Sequence, residues 1–116
     1  MAKQPESKGL NYALWVVQAL LALAFLGAGG SKLTGAAAMV QMYDTIGIGQ
    51  WFRYVTGLLE VGGAILLFVP GMAKYAGALL ATVMVGAVIS HLTILGGSPA
   101  APLVLGILSA FVAWKR

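Results

Sequence analysis

The stretch YVTGLLEVGGAILLFVPG, residues 54–71, decides how the rest of the chain is read. Apart from Glu60 it is nearly pure hydrocarbon, and it stops at Pro70-Gly71. A run of about 20 apolar residues is what the hydrocarbon core of a bilayer requires of a crossing helix. An ionised carboxylate inside such a helix is costly, and it is normally turned towards the bundle interior or a wet cavity. Where Glu60 points, and what meets it there, becomes the central question.

The composition agrees with a membrane setting. Apolar residues make up 60% of the 116-residue chain and charged residues only 9%, against about 25% charged in an ordinary soluble domain. The length suits one domain, so residues 1–116 are read as a single membrane domain. The net charge of +4 does not point to nucleic acid, because the basic residues sit at the ends of apolar runs rather than in a patch. The expected partner is the lipid bilayer. With no cysteine, the chain has no thiol chemistry and no Fe–S ligation of its own.

Working outward from residues 54–71, the apolar runs lie at about 12–30, 51–69, 73–95 and 99–114. The fold class expected is all-α, an integral membrane bundle of four transmembrane helices. The first run follows Lys3 and Lys8 and looks superficially like a leader, but it is long for one and three further spans follow. Pro99 and Pro102 fall in the first turn of the last run, where a missing N–H is tolerated. An even number of spans puts both termini on one side, together with Lys3, Lys8, Lys74, Lys115 and Arg116; Lys32 and Arg53 fall on the other. The positive-inside bias then gives a multi-pass protein with both termini in the cytoplasm. In the long first loop, Met39, Met42, Tyr43 and Ile46 recur at helical spacing. They predict either a short interfacial helix or a loop that caps the bundle.

Between membrane helices, small residues mark the seams. Gly57, Glu60, Gly63 and Ala64 share one face of the second run, so Glu60 is predicted to face other helices and not lipid. Gln18, Ala22, Phe25, Gly29 and Lys32 share a face of the first run. Ala78, Thr82, Gly86 and Ser90 are read as the seam of the third, and Pro102, Gly106, Ser109, Ala110 and Ala113 as that of the fourth. Counting at 1.5 Å per residue, Glu60 lies about 9 Å below Tyr54 and His91 about 6 Å below Leu95, both in the outer half. Lys32 and Arg53 fall there as well. Glu60, His91 and Lys32 are the candidates for ligand binding or proton exchange, with Tyr43, Arg53 and Tyr54 at a pocket mouth. The plain alternative is a structural lock, in which Glu60 is simply satisfied by Lys32, Arg53, a backbone group or its own protonation. No residue can be assigned a catalytic role from spacing.

Several motifs fail on inspection. GAGGSKLTG, residues 27–35, does not fit a phosphate-binding loop, because Ser31 separates Gly30 from Lys32 and no strand precedes it. One histidine and no cysteine argue against a transition-metal site. The same scarcity leaves His91 as the sole conventional haem ligand apart from methionines and tyrosines, so haem is kept only as an outsider.

FLGAGGSKLTG (25–35), MYDTIGIGQWFRYVTGLLEVGGAILLFVPG (42–71) and KYAGALLATVMVGAVISHL (74–92) together resemble the DoxX-like family of small bacterial membrane proteins. The shared elements are Gly30, Lys32, Leu33, Thr34 and Gly35, then G-L-L-E-x-x-G from Gly57 to Gly63, then M-x-G-A-x-x-x-H from Met84 to His91. The resemblance covers about residues 20–112. It implies a four-helix protein of the inner membrane, in a family named after a subunit associated with a thiosulfate:quinone oxidoreductase and linked elsewhere to redox stress. Three functions follow as expectations. The first is a redox-associated protein that binds a quinone or similar molecule through Glu60 and His91. The second is a non-catalytic accessory subunit docked on a partner membrane or peripheral redox subunit. The third is a small-solute or proton-coupled transporter that works as a homo-oligomer.

Overall fold

The structure is a computed structural model in which residues 7–116 are described. Lys3, counted above among the cytoplasmic charges, lies outside the described residues. Those residues form five helices and a π-helical turn, with no strand among them: α1 (Lys8–Thr34), α2 (Ala37–Ile46), α3 (Gln50–Leu66), α4 (Ala73–Ser90), the π turn (His91–Leu95) and α5 (Ala100–Lys115). Each apolar run read from the sequence is helical, and the first loop contains a helix bearing the predicted stripe. Two helices, Lys8–Thr34 and Ala73–Leu95, are long and apolar enough to cross a membrane; α5 is apolar but shorter.

Local chemistry sets the boundaries. The Ser7 hydroxyl accepts from the Leu10 N–H at 3.0 Å and starts α1. Gly35, at φ 74°, ends it in the left-handed conformation that a Cβ disfavours. The amides of Gly35 and Ala36 both fold back onto the Ser31 carbonyl.

Helix α1 lies against α3, α3 against α4, and α4 against α5, while α5 returns to α1. The assembly measures 46 × 25 × 24 Å. Its core is made by Leu14, Leu21, Phe25, Ala64, Leu67, Ala76, Leu80 and Val112. The outer surface is just as apolar: Leu20, Leu23, Ile65, Val85, Ile89, Val104 and Ile107 are all exposed. Contiguous apolar surface of this extent needs hydrocarbon or another protein against it. Hydroxyls on the helices turn inward on their own backbone: Thr82 donates to Ala78, Ser90 to Gly86 and Ser31 to Gly27, each a carbonyl four residues back. That habit removes a polar group from a surface with no water to satisfy it.

The seams follow the expected faces in α1, α3 and most of α5, but not in α4. Ala78, Thr82 and Gly86 are exposed, and α4 packs through Ala73, Ala76, Gly77, Leu80 and Met84 instead. The reason is complementarity of size. Leu80 fills the hollow over Gly63, and Met84 fills the one over Gly106. Here small residues on the neighbours receive large residues of α4, so a search for small residues alone selects the wrong face of this helix. Gly77 is the exception, since it meets the backbone of α5 directly: a Cβ there would lie 2.6 Å from the Ser109 carbonyl oxygen.

Candidate functional site

The crossing of α1 and α3 builds the site. Gly29 and Gly57 face each other so closely that a Cβ on Gly29 would lie 2.9 Å from the Gly57 carbonyl, and one on Gly57 3.1 Å from the Gly29 carbonyl. Such approach is open only to glycine at these positions. Three residues on, along each helix, stand Lys32 and Glu60, and the crossing brings them together: Lys32 Nζ is 2.7 Å from Glu60 Oε1. Glu60 is 1% exposed, whereas the Lys32 side chain is 13% exposed. At that distance the ammonium is a direct partner of Oε1. The contact is a charge pair, and the carboxylate oxygen keeps unspent acceptor capacity.

Arg53 seals this end. A helix leaves its last four carbonyls without helical donors. In α1 the Ser31 carbonyl is met by the Gly35 cap, and the Lys32 carbonyl accepts from Arg53 Nη1. Arg53 Nε donates to Gln50 Oε1 at 2.7 Å, and Gln50 Nε2 donates to the Asp44 carboxylate at 2.7 Å and the Val40 carbonyl at 3.0 Å. The guanidinium lies 4.3 Å from the centre of the Tyr54 ring, which is itself exposed. Although Arg53 looks interfacial in the sequence, it is 5% exposed and ties α1, α2 and α3 together. Lys32, Arg53 and Glu60 carry one positive charge in excess. Asp44 offsets part of it through Gln50.

Tyr43 enters from α2. The Thr56 hydroxyl donates to the Phe52 carbonyl at 2.9 Å, which leaves the Tyr43 O–H to donate to Thr56 Oγ1 at 2.6 Å. Burial pushes the Tyr43 phenol above its ordinary value, so the group remains a neutral donor.

His91 sits apart from these groups. Its Nδ1 lies 3.0 Å from the Gly96 carbonyl oxygen, closing the π turn, and that turn packs against α2. Among the described residues, no hydrogen bond or ion pair joins His91 to Glu60, Lys32 or Arg53. The structure therefore unites Lys32, Glu60, Arg53 and, one layer out, Tyr43. It leaves Tyr54 at the rim and His91 on a separate turn at the same end.

A second polar cluster, which the sequence pattern barely signals, lies at the opposite end. Gln18 is 1% exposed. It donates to the Leu67 carbonyl at 2.6 Å and accepts from Arg116 Nε at 2.7 Å. Arg116 Nη1 donates to Asn11 Oδ1 at 2.8 Å, and Lys74 Nζ to the Ala113 carbonyl at 3.1 Å. Gln18 was visible as a polar residue on the packed face of α1; nothing in the sequence pairs it with the distant Arg116.

Comparison with known proteins places this geometry. A protein of Bacillus subtilis (strain 168) named "Putative oxidoreductase CatD" is 25% identical over 84 residues, which cover 72% of this chain and 63% of that protein. The chain thus spans less than two thirds of that relative's length. No solved structure matches the chain. The model of the DoxX-like family matches residues 16–113, a region that takes in Lys32, Arg53 and Glu60 at one end and Gln18 and Lys74 at the other, but not Asn11 or Arg116. With the apolar exterior and the membrane-length helices, that match makes this a membrane protein, and the chain belongs to the DoxX-like family.

Proposed function

We propose that the protein crosses the inner membrane four times, with cytoplasmic termini and α2 on the outer interface, and serves a quinone-linked oxidoreductase system. The observation that carries this reading is the Lys32–Glu60 pair, an ammonium and a carboxylate 2.7 Å apart where two apolar helices cross, with Glu60 1% exposed. Ionisable groups at such positions mark ion, proton or substrate paths far more often than scaffolding. Membership of the family and the name of the Bacillus relative favour a redox setting.

Reduction of a quinone takes up protons as well as electrons. Without cysteine, this chain contributes no thiol electrons, so a partner redox subunit supplies them. The chain's own part is to hold and move protons. Lys32 Nζ is a donor and Glu60 Oε1 an acceptor, 2.7 Å apart. A ligand oxygen entering on the Lys32 side can take the ammonium as its donor while Glu60 keeps the returning proton close. Arg53 adds fixed positive charge that favours negative charge developing on that oxygen. His91, on the turn against α2, is a second proton holder at the same end.

The test is thermal stability of the detergent-purified protein titrated with ubiquinone and menaquinone analogues. Saturable stabilisation is expected in the wild type and its loss in Glu60→Gln and in the paired variant Lys32→Met/Glu60→Leu. The paired variant keeps its fold because neither charge is left alone. Absence of any saturable shift in the wild type removes the quinone reading.

A second reading has an observation of its own. The exposed Ala78–Thr82–Gly86 stripe of α4 lies beside an apolar groove of about 310 Å³ between α4 and α5, lined by Met84, Val88, Leu103 and Gly106. Small residues on a membrane-facing helix allow another helix to approach closely. An accessory subunit docked on a larger complex fits that surface, and Gly86→Leu separates the readings: it dissolves the complex and leaves quinone binding intact.

A further inference from the structure

We infer that helix α2 is a lid over the Lys32–Glu60 pair, hinged on glycines at both ends and latched by the Tyr43–Thr56 hydrogen bond. The inference rests on the reading that this pair meets a ligand. Glu60 is buried and the Lys32 side chain only partly exposed, so a ligand reaches them only when something covering them moves. Beside the pair, α1 and α3 touch through their backbones at Gly29 and Gly57. Inward of that contact they run into the core of Leu21, Phe25, Ala64 and Leu67. Parting these helices would take the core apart. On the outward side the cover is α2.

Thr56 stands one turn before Glu60 on the same face of α3. The Tyr43 side chain, bonded to Thr56 and buried, therefore lies across the outward approach to Glu60. The charges of both Glu60 and Arg53 bear on its phenol. Helix α2 joins α1 through Gly35, at φ 74°, and α3 through the turn that holds Gly47, at φ 83°. A glycine enters and leaves such conformations without the clash of a Cβ. Gln50, which bonds Val40 and Asp44, follows the second hinge directly and lies at the pivot. Thr56 is six residues farther along α3, about 9 Å at the helical rise, so the Tyr43 bond is the tie that a swing of α2 must break. The remaining hold is the half-buried stripe of Met39, Met42 and Ile46, and methionine side chains re-pack readily.

The test reads access to Glu60 with no quinone present. The full chain in lipid nanodiscs is exposed to a water-soluble carbodiimide, and activation of Glu60 is followed by mass spectrometry, as an adduct or as an amide cross-link to Lys32. Asp44, which is exposed, is the internal control. Tyr43→Phe keeps the ring and removes the latching hydroxyl; Glu60 activation should rise about fivefold, as loss of one ordinary neutral hydrogen bond allows, with Asp44 unchanged. The chain has no cysteine of its own, so Tyr43→Cys/Thr56→Cys introduces a single pair of thiols. This variant should react fast while unbridged, and no faster than wild type once a short bifunctional maleimide joins the pair. Gly77→Ala, which strains the contact between α4 and α5, should leave the Glu60 rate unchanged. Equal rates in wild type, Tyr43→Phe and both forms of the thiol pair overturn the lid. So does an equal acceleration by Gly77→Ala, which reduces the effect to general loosening. A failed quinone titration leaves these rates standing, and a failed lid leaves the titration standing.

Discussion

The two polar ends of this molecule hold their charges in opposite ways. At one end Lys32, Arg53 and Glu60 are shut between α1, α2 and α3, and the hydrogen bonds of Arg53 go to a helix-terminal carbonyl and a glutamine. At the other, Lys74 and Arg116 border an open cavity and are held by amides and carbonyls. A buried carboxylate such as Glu60 needs its counter-charge from a neighbouring side chain, because bulk solvent does not reach it. Lys74, exposed beside that cavity, is met by solvent. The difference predicts that the same kind of substitution costs much at the first end and little at the second.

The largest effect is expected from splitting the closed pair. Removing one partner of a buried ion pair typically costs about 3–5 kcal/mol. Lys32→Met should reach the upper part of that range, since it strands Glu60, while in Glu60→Gln the partly exposed Lys32 can turn its ammonium towards the surface. Chemical denaturation in detergent micelles measures both. The paired variant Lys32→Met/Glu60→Leu should recover most of the loss. If it is as unstable as the single variants, the pair stabilises through packing and the closed-end description fails.

Arg53→Lys comes next. A lysine keeps the charge but cannot reach the Lys32 carbonyl and Gln50 Oε1 together from one planar group. Losing a charged hydrogen bond at a buried position costs about 1.5–3 kcal/mol. Protease sensitivity should rise between α2 and α3 before the whole chain unfolds, because Arg53 positions the Gln50 side chain that bonds Val40 and Asp44 of α2.

Much of the closed end was legible in the sequence. The i, i+3, i+6 and i+7 placement of Gly57, Glu60, Gly63 and Ala64 put Glu60 on the packed face, and all four are buried. The stripe of Met39, Met42, Tyr43 and Ile46 marked the covered side of α2, where Tyr43 is buried. Arg53 was not legible, because its principal partner is a backbone carbonyl freed by the end of α1, and no residue pattern announces a carbonyl. His91 shares depth with Glu60, but depth fixes no azimuth, and its hydrogen bond closes its own turn. On α4 the periodicity was correct and the face was not. This misreading has its own test. Gly77→Ala should cost about 1–3 kcal/mol, as overpacking against an unyielding backbone does, since its Cβ would meet the Ser109 carbonyl. Gly86→Ala, with nothing within 4 Å of a new Cβ, should leave the isolated protein's stability unchanged. Equal effects at both glycines would return α4 to the face read from its small residues.

The smallest expected effect lies at the open end and sharpens the comparison most. Lys74 is exposed, and its hydrogen bond runs to a carbonyl that terminates α5. In neutral lipid, Lys74→Gln should change stability by no more than about 0.5 kcal/mol, as is usual for a surface substitution. Glutamine retains an N–H donor for Ala113, and no buried charge is left alone. A loss comparable to Arg53→Lys would mean that both ends are closed and that Lys74 is part of the packing. A small loss leaves Lys74 a surface charge that solvent can meet, in contrast to the buried Glu60, whose charge only a neighbouring side chain can meet.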